Sequence, residues 1–236
     1  MPVDRGHRPR CPRRRACETG GLQVDIELEE QAAADAAASL VEDGMVVGLG
    51  TGSTVSHLLR ALAHRALSLR CVATSPRTEE AARLLGLAVE PFGTFERLDL
   101  AIDGADQITP DGWLVKGGGA AHTREKLVAI SAERFVVIGD SRKPVSQLHG
   151  PIPLELLEFG LGSTLRRLGT VRLRDVPRSP DGGVIADFTG DVGDPAALAE
   201  VLSGTPGVIE HGLFAPTMVT MALVARGTEV ETLLFA

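Results

Sequence analysis

A glycine-rich stretch flanked by charged residues is the most chemically informative part of the sequence. Lys116 precedes the glycines at 117–119, and Glu125 follows shortly after them. Consecutive glycines expose backbone N–H groups, and an ammonium can neutralise an oxyanion that develops during a reaction. A carboxylate beside that lysine can act as a general base, and we expect the dipole of the helix starting there to favour its ionised form. A plain glycine turn is the alternative.

A second glycine loop, with the sequence GLGTGST, covers residues 48–54. It lies between a predicted strand and a predicted helix, so the N–H groups of the helix N-terminus and three hydroxyl groups can bind a phosphate. The alternative is a tight turn capped by a hydroxyl. The absence of a Gly-Lys pair excludes a Walker A loop, and Ser53 fits a dinucleotide fingerprint poorly.

Two carboxylates, Asp103 and Asp106, flank Gly104 and Ala105 directly after an apolar strand. Ligands of α/β sheets bind beyond the carboxyl ends of the strands, which places both groups for proton transfer or for binding hydroxyl groups. A magnesium site and a solvated turn are the alternatives. Lys143 follows a later apolar strand and brings another cation to the same edge of the sheet.

The sequence has no Cys/His set with the spacing of a metal site and no Ser–His–Asp arrangement for nucleophilic catalysis. We therefore predict neither a metal ion nor an organic cofactor. His122 lies at the start of a predicted helix, where a lone histidine is usually structural, and we leave it out of the catalytic set.

Short apolar strands alternate with helices between residues 22 and 150, which predicts an α/β fold with a Rossmann-like parallel sheet. The predicted strands are 45–49, 69–73, 87–92, 98–103 and 135–139. Residues 151–214, here called the inserted segment, instead follow a strand–helix–strand–strand–helix–strand pattern. We predict that they form a small α+β domain of ferredoxin-like type that acts as a lid. Residues 215–236 are expected to return to the main sheet.

Composition excludes several classes of function. The 236 residues carry a net charge of −7, although residues 1–21 are rich in arginine and are predicted to be a disordered basic extension. An acidic body with only 3% aromatic residues is a poor partner for nucleic acid or for an anionic membrane. No apolar run approaches the ~18 residues of a membrane span. Three cysteines give no disulfide framework, which favours the cytoplasm.

Taken in order, the motifs GLGTGST, DGAD, KGGGA, REK and D-x-x-K resemble those of the ribose-5-phosphate isomerases of the A type. The resemblance covers the chain from about residue 28 to the C-terminus. It implies interconversion of ribose 5-phosphate and ribulose 5-phosphate, in the non-oxidative pentose phosphate pathway, without metal or organic cofactor. It also implies a homodimer or a homotetramer. The expected binding partner is a small sugar phosphate, and neither nucleic acid nor a membrane is expected to bind.

The resemblance also implies roles for the motif residues, with Glu125 as the base, Asp103 assisting ring opening and Lys143 binding substrate. The implied catalytic residues are Glu125, Asp103, Asp106 and Lys116. The implied substrate-binding residues are Thr51, Gly52, Ser53, Thr54, Asp103, Gly104, Ala105, Asp106, Lys116, Gly117, Gly118, Gly119 and Lys143.

Two positions depart from the family pattern. Gln107 replaces the glutamate that commonly follows DGAD, and Glu30 stands where the first helix commonly brings a lysine toward the phosphate. An acidic residue near a phosphate would repel it, unless the helix is turned away or an arginine substitutes.

The alternative functions are a non-catalytic sugar-phosphate sensor and an enzyme for another sugar phosphate. A sensor would have no need of a base at Glu125.

Overall fold

The computed structural model describes Met1 and residues 25–235, so the predicted extension lies outside the described residues apart from Met1. In chain order the strands are β1 (Val46–Leu49), β2 (Arg70–Ala73), β3 (Leu98–Gly104), β4 (Gln107–Ile108), β5 (Leu114–Val115), β6 (Ala132–Gly139), β7 (Ile152–Leu156), β8 (Val171–Leu173), β9 (Val184–Phe188), β10 (Val208–His211), β11 (Leu213–Phe214), β12 (Met221–Arg226) and β13 (Glu229–Leu234). The α-helices are α1 (Ile26–Ser39), α2 (Ser53–Arg65), α3 (Pro76–Leu84), α4 (His122–Ile130), α5 (Leu161–Leu168) and α6 (Pro195–Ser203).

The main sheet has the strand order β13-β12-β6-β3-β1-β2 and is parallel except for β13 at one edge. Its central strands are apolar because both faces are covered. On β3, Leu100 and Ile102 belong to the core that includes residues of α1 and α2, whereas Leu98 and Ala101 belong to the core on the other face. The predicted α/β fold class with a parallel sheet is confirmed, and the carboxyl ends of β6, β3 and β1 lie side by side.

The inserted segment forms a second sheet of order β10-β7-β9-β8, in which all neighbours are antiparallel. Helix α5 connects β7 to β8 and helix α6 connects β9 to β10, which is the βαββαβ arrangement that the sequence pattern predicts. The domain boundaries at 151 and 214 stay a prediction.

A third, small sheet of order β11-β5-β4 joins the inserted segment to the site. The sequence pattern predicts a single strand over 207–213, which in the structure breaks at Gly212 into β10 and β11. A side chain there would overlap the Lys116 carbonyl, and the Gly212 carbonyl accepts the Lys116 N–H at 2.8 Å. Glycine at 212 therefore permits the close backbone approach that fixes Lys116.

The predicted strand at 87–92 is wrong. Only Val89 forms a bridge, to Cys71, and a 3₁₀ turn at Phe92–Thr94 follows. The Cys71 N–H donates to the Ala88 carbonyl and the Glu90 N–H donates to the Cys71 carbonyl, and the 3₁₀ turn then takes the chain out of the extended conformation. The pattern after the glycines at 117–119 predicts a helix to about residue 132, which is too long, because α4 ends at Ile130 and β6 already begins at Ala132.

Helix starts follow the capping residues. The pair Ser75-Pro76 predicts a helix N-cap with proline at the first helical position. This is confirmed, because Ser75 accepts the Thr78 N–H at 3.2 Å and Pro76 opens α3. Helix α1 begins earlier than the Ala-rich stretch 31–41 predicts, because Asp25 caps it by accepting the Leu28 N–H. In the part of the chain that the structure describes, no helix has the length and apolarity to cross a membrane.

Candidate active site

The loop after β1 is built to leave N–H groups free at the start of α2. Gly50 lies against Asp103, whose carboxylate would overlap any side chain at residue 50. The Thr51 N–H donates to Asp103 Oδ1 at 3.0 Å. Gly52 then caps α2 with φ of 134°, a conformation that favours glycine, and makes no side-chain capping bond. The first turn of α2 can therefore bind an anion.

Buried hydroxyl groups hold this loop in place. Thr51 Oγ1 lies 2.9 Å from both Thr74 Oγ1 and Ser75 Oγ. Thr78 donates to the Gly50 carbonyl at 2.9 Å. The Thr51 hydroxyl is thus engaged in fixing the loop, and the Ser53 hydroxyl donates to Glu30, which leaves the backbone N–H groups and the Thr54 side chain to face a ligand.

Three charged side chains are buried together behind the loop. Lys116 Nζ lies 2.8 Å from Asp103 Oδ2 and 3.1 Å from Glu125 Oε2, and all three side chains are at most 4% exposed. Lys116 also donates to the Gly104 carbonyl. The two carboxylate oxygens facing the ammonium have no well-aligned hydrogen bond among the described residues. They are held by charge and remain available as acceptors.

The surroundings of Glu125 in this cluster raise its pKa to a value near neutral pH. Burial, and then repulsion by Asp103, raise the pKa of Glu125 to about 8. Burial raises the pKa of Asp103 too, although Lys116 and the N–H groups of Thr51 and Gly104 oppose the rise. Burial acts to lower the pKa of Lys116, but its two carboxylate neighbours outweigh that effect and the pKa is raised. Lys116 therefore stays charged.

The expected effect of the helix dipole on Glu125 is overturned. Glu125 does lie in the first turn of α4, where the dipole favours the ionised form. However, its side chain is 3% exposed, and burial with repulsion from Asp103 outweighs the dipole. A carboxyl with a pKa near the working pH is able both to accept and to return a proton.

This raised pKa predicts a pH-dependent stability. A carboxyl whose pKa rises from 4.5 to about 8 on folding contributes stability that is fully present below pH 4.5 and is lost as the pH rises through 8. Compared with Glu125→Gln, the wild-type chain should lose up to about 1.4 kcal/mol of unfolding free energy per pH unit in that interval. Urea unfolding of both chains between about pH 5 and about pH 9 measures this, and parallel curves would refute it.

The glycines after Lys116 form a loop fixed from two sides. The Gly118 N–H donates to Asp106 Oδ2 at 2.9 Å, so Asp106 binds this loop and is not part of the buried cluster. From the other side, Arg174 of the inserted segment donates to the carbonyls of Gly117 and Gly118 at 2.9 and 3.3 Å. Sequence reasoning missed Arg174, because no motif marks it.

These loops line a cavity of about 150 Å³. Its lining residues are Thr51, Gly52, Ser53, Thr54, Val55, Gly104, Ala105, Asp106, Lys116, Gly117, Gly118, Gly119, Glu125 and Lys143. The structure therefore brings together every residue predicted for the site, with Asp103 buried directly behind the wall. Val55 also lines the cavity, although it was not among the predicted site residues. It is an apolar residue of the first turn of α2, and nothing in the sequence indicated a role in the site.

Glu30, the acidic residue expected to repel a phosphate, does not line the cavity. Its Oε1 accepts the Ser53 hydroxyl at 2.6 Å, and its Oε2 lies 3.9 Å from His57 Nε2. The cations that do line the cavity are Lys116 and Lys143. Lys143 is half-buried beside the buried Asp140, with Nζ at 4.0 Å from Oδ2. The positive charge facing an anion comes from the residue that follows β5 and from the loop after β6.

Gln107 also points away from the cavity and holds the backbone before the inserted segment. Its Nε2 donates to the His149 carbonyl at 2.8 Å and its Oε1 accepts the His149 N–H at 2.9 Å. A carboxylate could accept but could not donate, so glutamine fits both partners. The presence of glutamine in place of glutamate at residue 107 therefore removes no carboxylate from the cavity wall.

We expect Gln107→Glu to destabilise the fold while leaving the cavity intact. The His149 carbonyl loses the Gln107 donor and faces the new carboxylate instead, which should cost about 0.5–1.5 kcal/mol of unfolding free energy. Denaturant unfolding measures the loss, and Gln147→Glu is the matched control because Gln147 is exposed. Equal stability of the two variants would contradict this account of Gln107.

Among the described residues, no group of three or more His, Cys, Asp or Glu side chains could hold a metal ion. His122 is fully buried with both ring nitrogens unbonded there. Burial and the charge of Lys126 lower the pKa of His122 to about 4, so the ring is neutral at pH 7. A ring with this pKa is a weak base near neutral pH, and His122 does not line the cavity.

The fold and the site define an α/β protein in which a buried cluster of Lys116, Asp103 and Glu125 lies beside a loop whose free N–H groups can bind an anion. A family model, ribose 5-phosphate isomerase A (phosphoriboisomerase A), matches residues 70–229. Ribose-5-phosphate isomerase A of Methanosarcina acetivorans is 45% identical over 202 residues, covering 79% of this chain and 86% of the relative. The Caulobacter sp. protein is 45% identical over 206 residues, covering 81% and 91%.

Solved structures agree with the sequence relatives. Ribose 5-phosphate isomerase A of Neisseria gonorrhoeae superposes with a TM-score of 0.86 at 28% identity, covering 91% of this chain and 100% of that chain. A D-ribose-5-phosphate isomerase in complex with phospho-erythronic acid gives a TM-score of 0.84 at 30% identity, covering 89% and 99%. The chain belongs to the ribose 5-phosphate isomerase A family.

Proposed function

We propose that this chain is an aldose–ketose isomerase that interconverts D-ribose 5-phosphate and D-ribulose 5-phosphate. The observation that carries the proposal is Glu125, a buried carboxyl with a pKa of about 8, held 3.1 Å from the Lys116 ammonium in the wall of an anion-binding cavity. The family membership supports the same activity, and no observation favours a sensor or another sugar phosphate.

The proposed binding mode follows from the two ends of the cavity. The phosphate binds the N–H groups at the start of α2, with the Thr54 hydroxyl and Lys143 adding to the same site. The sugar then extends toward Lys116 and Glu125. Asp103 assists ring opening, because its carboxylate lies beside Lys116 and its other oxygen is fixed by the Thr51 N–H.

The proposed chemistry is a proton shuttle through an enediolate. Ionised Glu125 removes the proton of C2, and the electrons of that bond form the C1–C2 double bond while negative charge develops on O1. The same carboxyl returns the proton to C1, and a proton moves from O2 to O1, so the product has the composition of the substrate. Lys116 and the N–H groups of the 117–119 loop stabilise the oxyanion.

Conversion of ribose 5-phosphate in the presence of EDTA tests this function. We expect formation of ribulose 5-phosphate that EDTA leaves unchanged, and at least about 10³-fold lower kcat/KM with ribose, which lacks the phosphate. Absence of ribulose 5-phosphate, or equal rates with ribose, would contradict the proposed substrate.

We also propose that the chain works as a homodimer or homotetramer in the cytoplasm, within the non-oxidative pentose phosphate pathway. Leu157, Phe159 and Ile209 support association, because they expose apolar side chains on or near the neighbouring strands β7 and β10. The odd cysteine count supports a reducing compartment. Light scattering of the purified protein measures the oligomeric state, and a monomer would contradict the first part.

A further inference from the structure

Arg174 connects the inserted segment to the cavity wall. It follows β8 directly, and its side chain is 17% exposed. Through Nη1 it donates to the Gly117 carbonyl at 2.9 Å and to the Gly118 carbonyl at 3.3 Å. A single guanidinium therefore donates hydrogen bonds to two consecutive peptide carbonyls of the loop that lies beside Lys116.

A buried carboxylate holds the guanidinium in position. Asp187 on β9 is 3% exposed, and its Oδ1 accepts Arg174 Nη2 at 2.6 Å and Arg174 Nε at 3.0 Å. Charge-assisted bonds of this kind are strong and directional. Arg172 also approaches Asp187, at 3.6 Å, but its side chain is 73% exposed and makes no bond to the loop. Of these two arginines, only Arg174 connects β9 to the glycine loop by hydrogen bonds.

Binding the carbonyls fixes the N–H groups of the same peptides. In a trans peptide the C=O and N–H bonds point in opposite directions. With the Gly117 carbonyl turned outward to Arg174, the Gly118 N–H points the other way and meets Asp106 at 2.9 Å. With the Gly118 carbonyl also turned outward, the Gly119 N–H points inward. Among the described residues it has no acceptor, and Gly119 lines the cavity.

We propose that Arg174 is a positioning residue that orients the peptides of residues 117–119, so that the Gly119 N–H donates to an oxygen of the bound open-chain sugar. The inference rests on the proposed isomerase function, because it assigns a donor to the oxyanion of that reaction. Glycines have the widest backbone freedom of any residue, so external bonds must fix this orientation. The Gly117 carbonyl also accepts the Ala120 N–H at 3.1 Å, whereas the Gly118 carbonyl has only Arg174 as a donor among the described residues.

The test compares Arg174→Met with Arg172→Met, which also removes an arginine from Asp187 but none from the loop. We expect kcat on ribose 5-phosphate to fall on the order of 10²-fold in Arg174→Met. The KM should change little, because the phosphate loop is untouched. Arg172→Met should retain wild-type kcat. Arg174→Lys should lie between the two, because an ammonium can bind one carbonyl but cannot reproduce the planar fork.

Ligand binding separates positioning from general damage and does not depend on turnover. By calorimetry, Arg174→Met should bind phospho-erythronic acid at least about 10-fold more weakly than wild type, yet bind inorganic phosphate equally well. Arg174→Lys gives the same comparison if the methionine variant does not fold.

The inference is overturned if Arg174→Met and Arg174→Lys match Arg172→Met in kcat and in the affinity for phospho-erythronic acid. It is also overturned if both ligands weaken equally, which would indicate loss of the fold. A wild-type chain without isomerase activity would instead contradict the proposed function, and the binding comparison would still decide whether Arg174 orients the loop.

Discussion

Replacing Glu125 by Gln is expected to lower kcat on ribose 5-phosphate by about 10³-fold or more, because the amide cannot accept the proton of C2. The amide is nearly isosteric with the carboxyl, so the cavity keeps its shape. KM should stay within a few-fold of the wild-type value, since the start of α2 and Lys143 are unchanged. Steady-state kinetics measure both constants, and calorimetry with inorganic phosphate checks that the anion site persists.

The chain offers a matched control for this substitution. Glu80 on α3 is exposed, so Glu80→Gln makes the same chemical change away from the cavity and should leave kcat unaltered. Glu125→Asp retains a carboxyl but withdraws it from the substrate by one methylene, and should give an intermediate rate. Turnover of Glu125→Gln within tenfold of that of Glu80→Gln would refute the role of Glu125 as base.

Replacing Lys116 by Met is expected to lower kcat by about 10²–10³-fold, because the enediolate loses its ammonium. A second effect identifies the cause. Without Lys116, Asp103 and Glu125 face each other with no cation between them, so the pKa of Glu125 rises above its value of about 8. The acid limb of the pH–rate profile should then move to higher pH, because only the ionised carboxyl accepts the C2 proton.

Lys143→Met provides the contrast within the same cavity. Lys143 lies with the phosphate-binding loop in our account, so its loss should raise KM while kcat and the acid limb of the profile stay close to wild type. An unshifted profile for Lys116→Met, or the same kinetic change in both lysine variants, would contradict the separate roles. Lys116→Met should also be less stable at pH 8 than at pH 5, where protonation relieves the two carboxylates.

The sequence predicts most of this site because its motifs follow consecutive parallel strands. The loops after β1, β3 and β6 meet at one edge for topological reasons, so Thr51, Asp103 and Lys143 could be placed together without coordinates. The glycines were informative for a similar local reason, since Gly50 is required by the close packing of Asp103.

What the sequence did not predict depends on contacts between distant segments. Arg174 and Gly117 are far apart in the chain, and the segment around β8 has no motif that would indicate their contact. In the sequence, Gln107 indicates only that a carboxylate is missing. The structure shows that its amide instead forms hydrogen bonds with His149. The raised pKa of Glu125 is a consequence of burial beside Asp103, which outweighs the local dipole that the sequence reveals.

The central claim is that Glu125 moves the proton between C2 and C1, and hydrogen exchange in D2O tests it most directly. Ribose 5-phosphate incubated with enzyme and EDTA is followed by proton NMR. We predict that the wild-type chain replaces the C2 proton by deuterium and forms ribulose 5-phosphate labelled at C1, whereas Glu125→Gln does neither. Deuterium incorporation by Glu125→Gln at the wild-type rate would contradict the account.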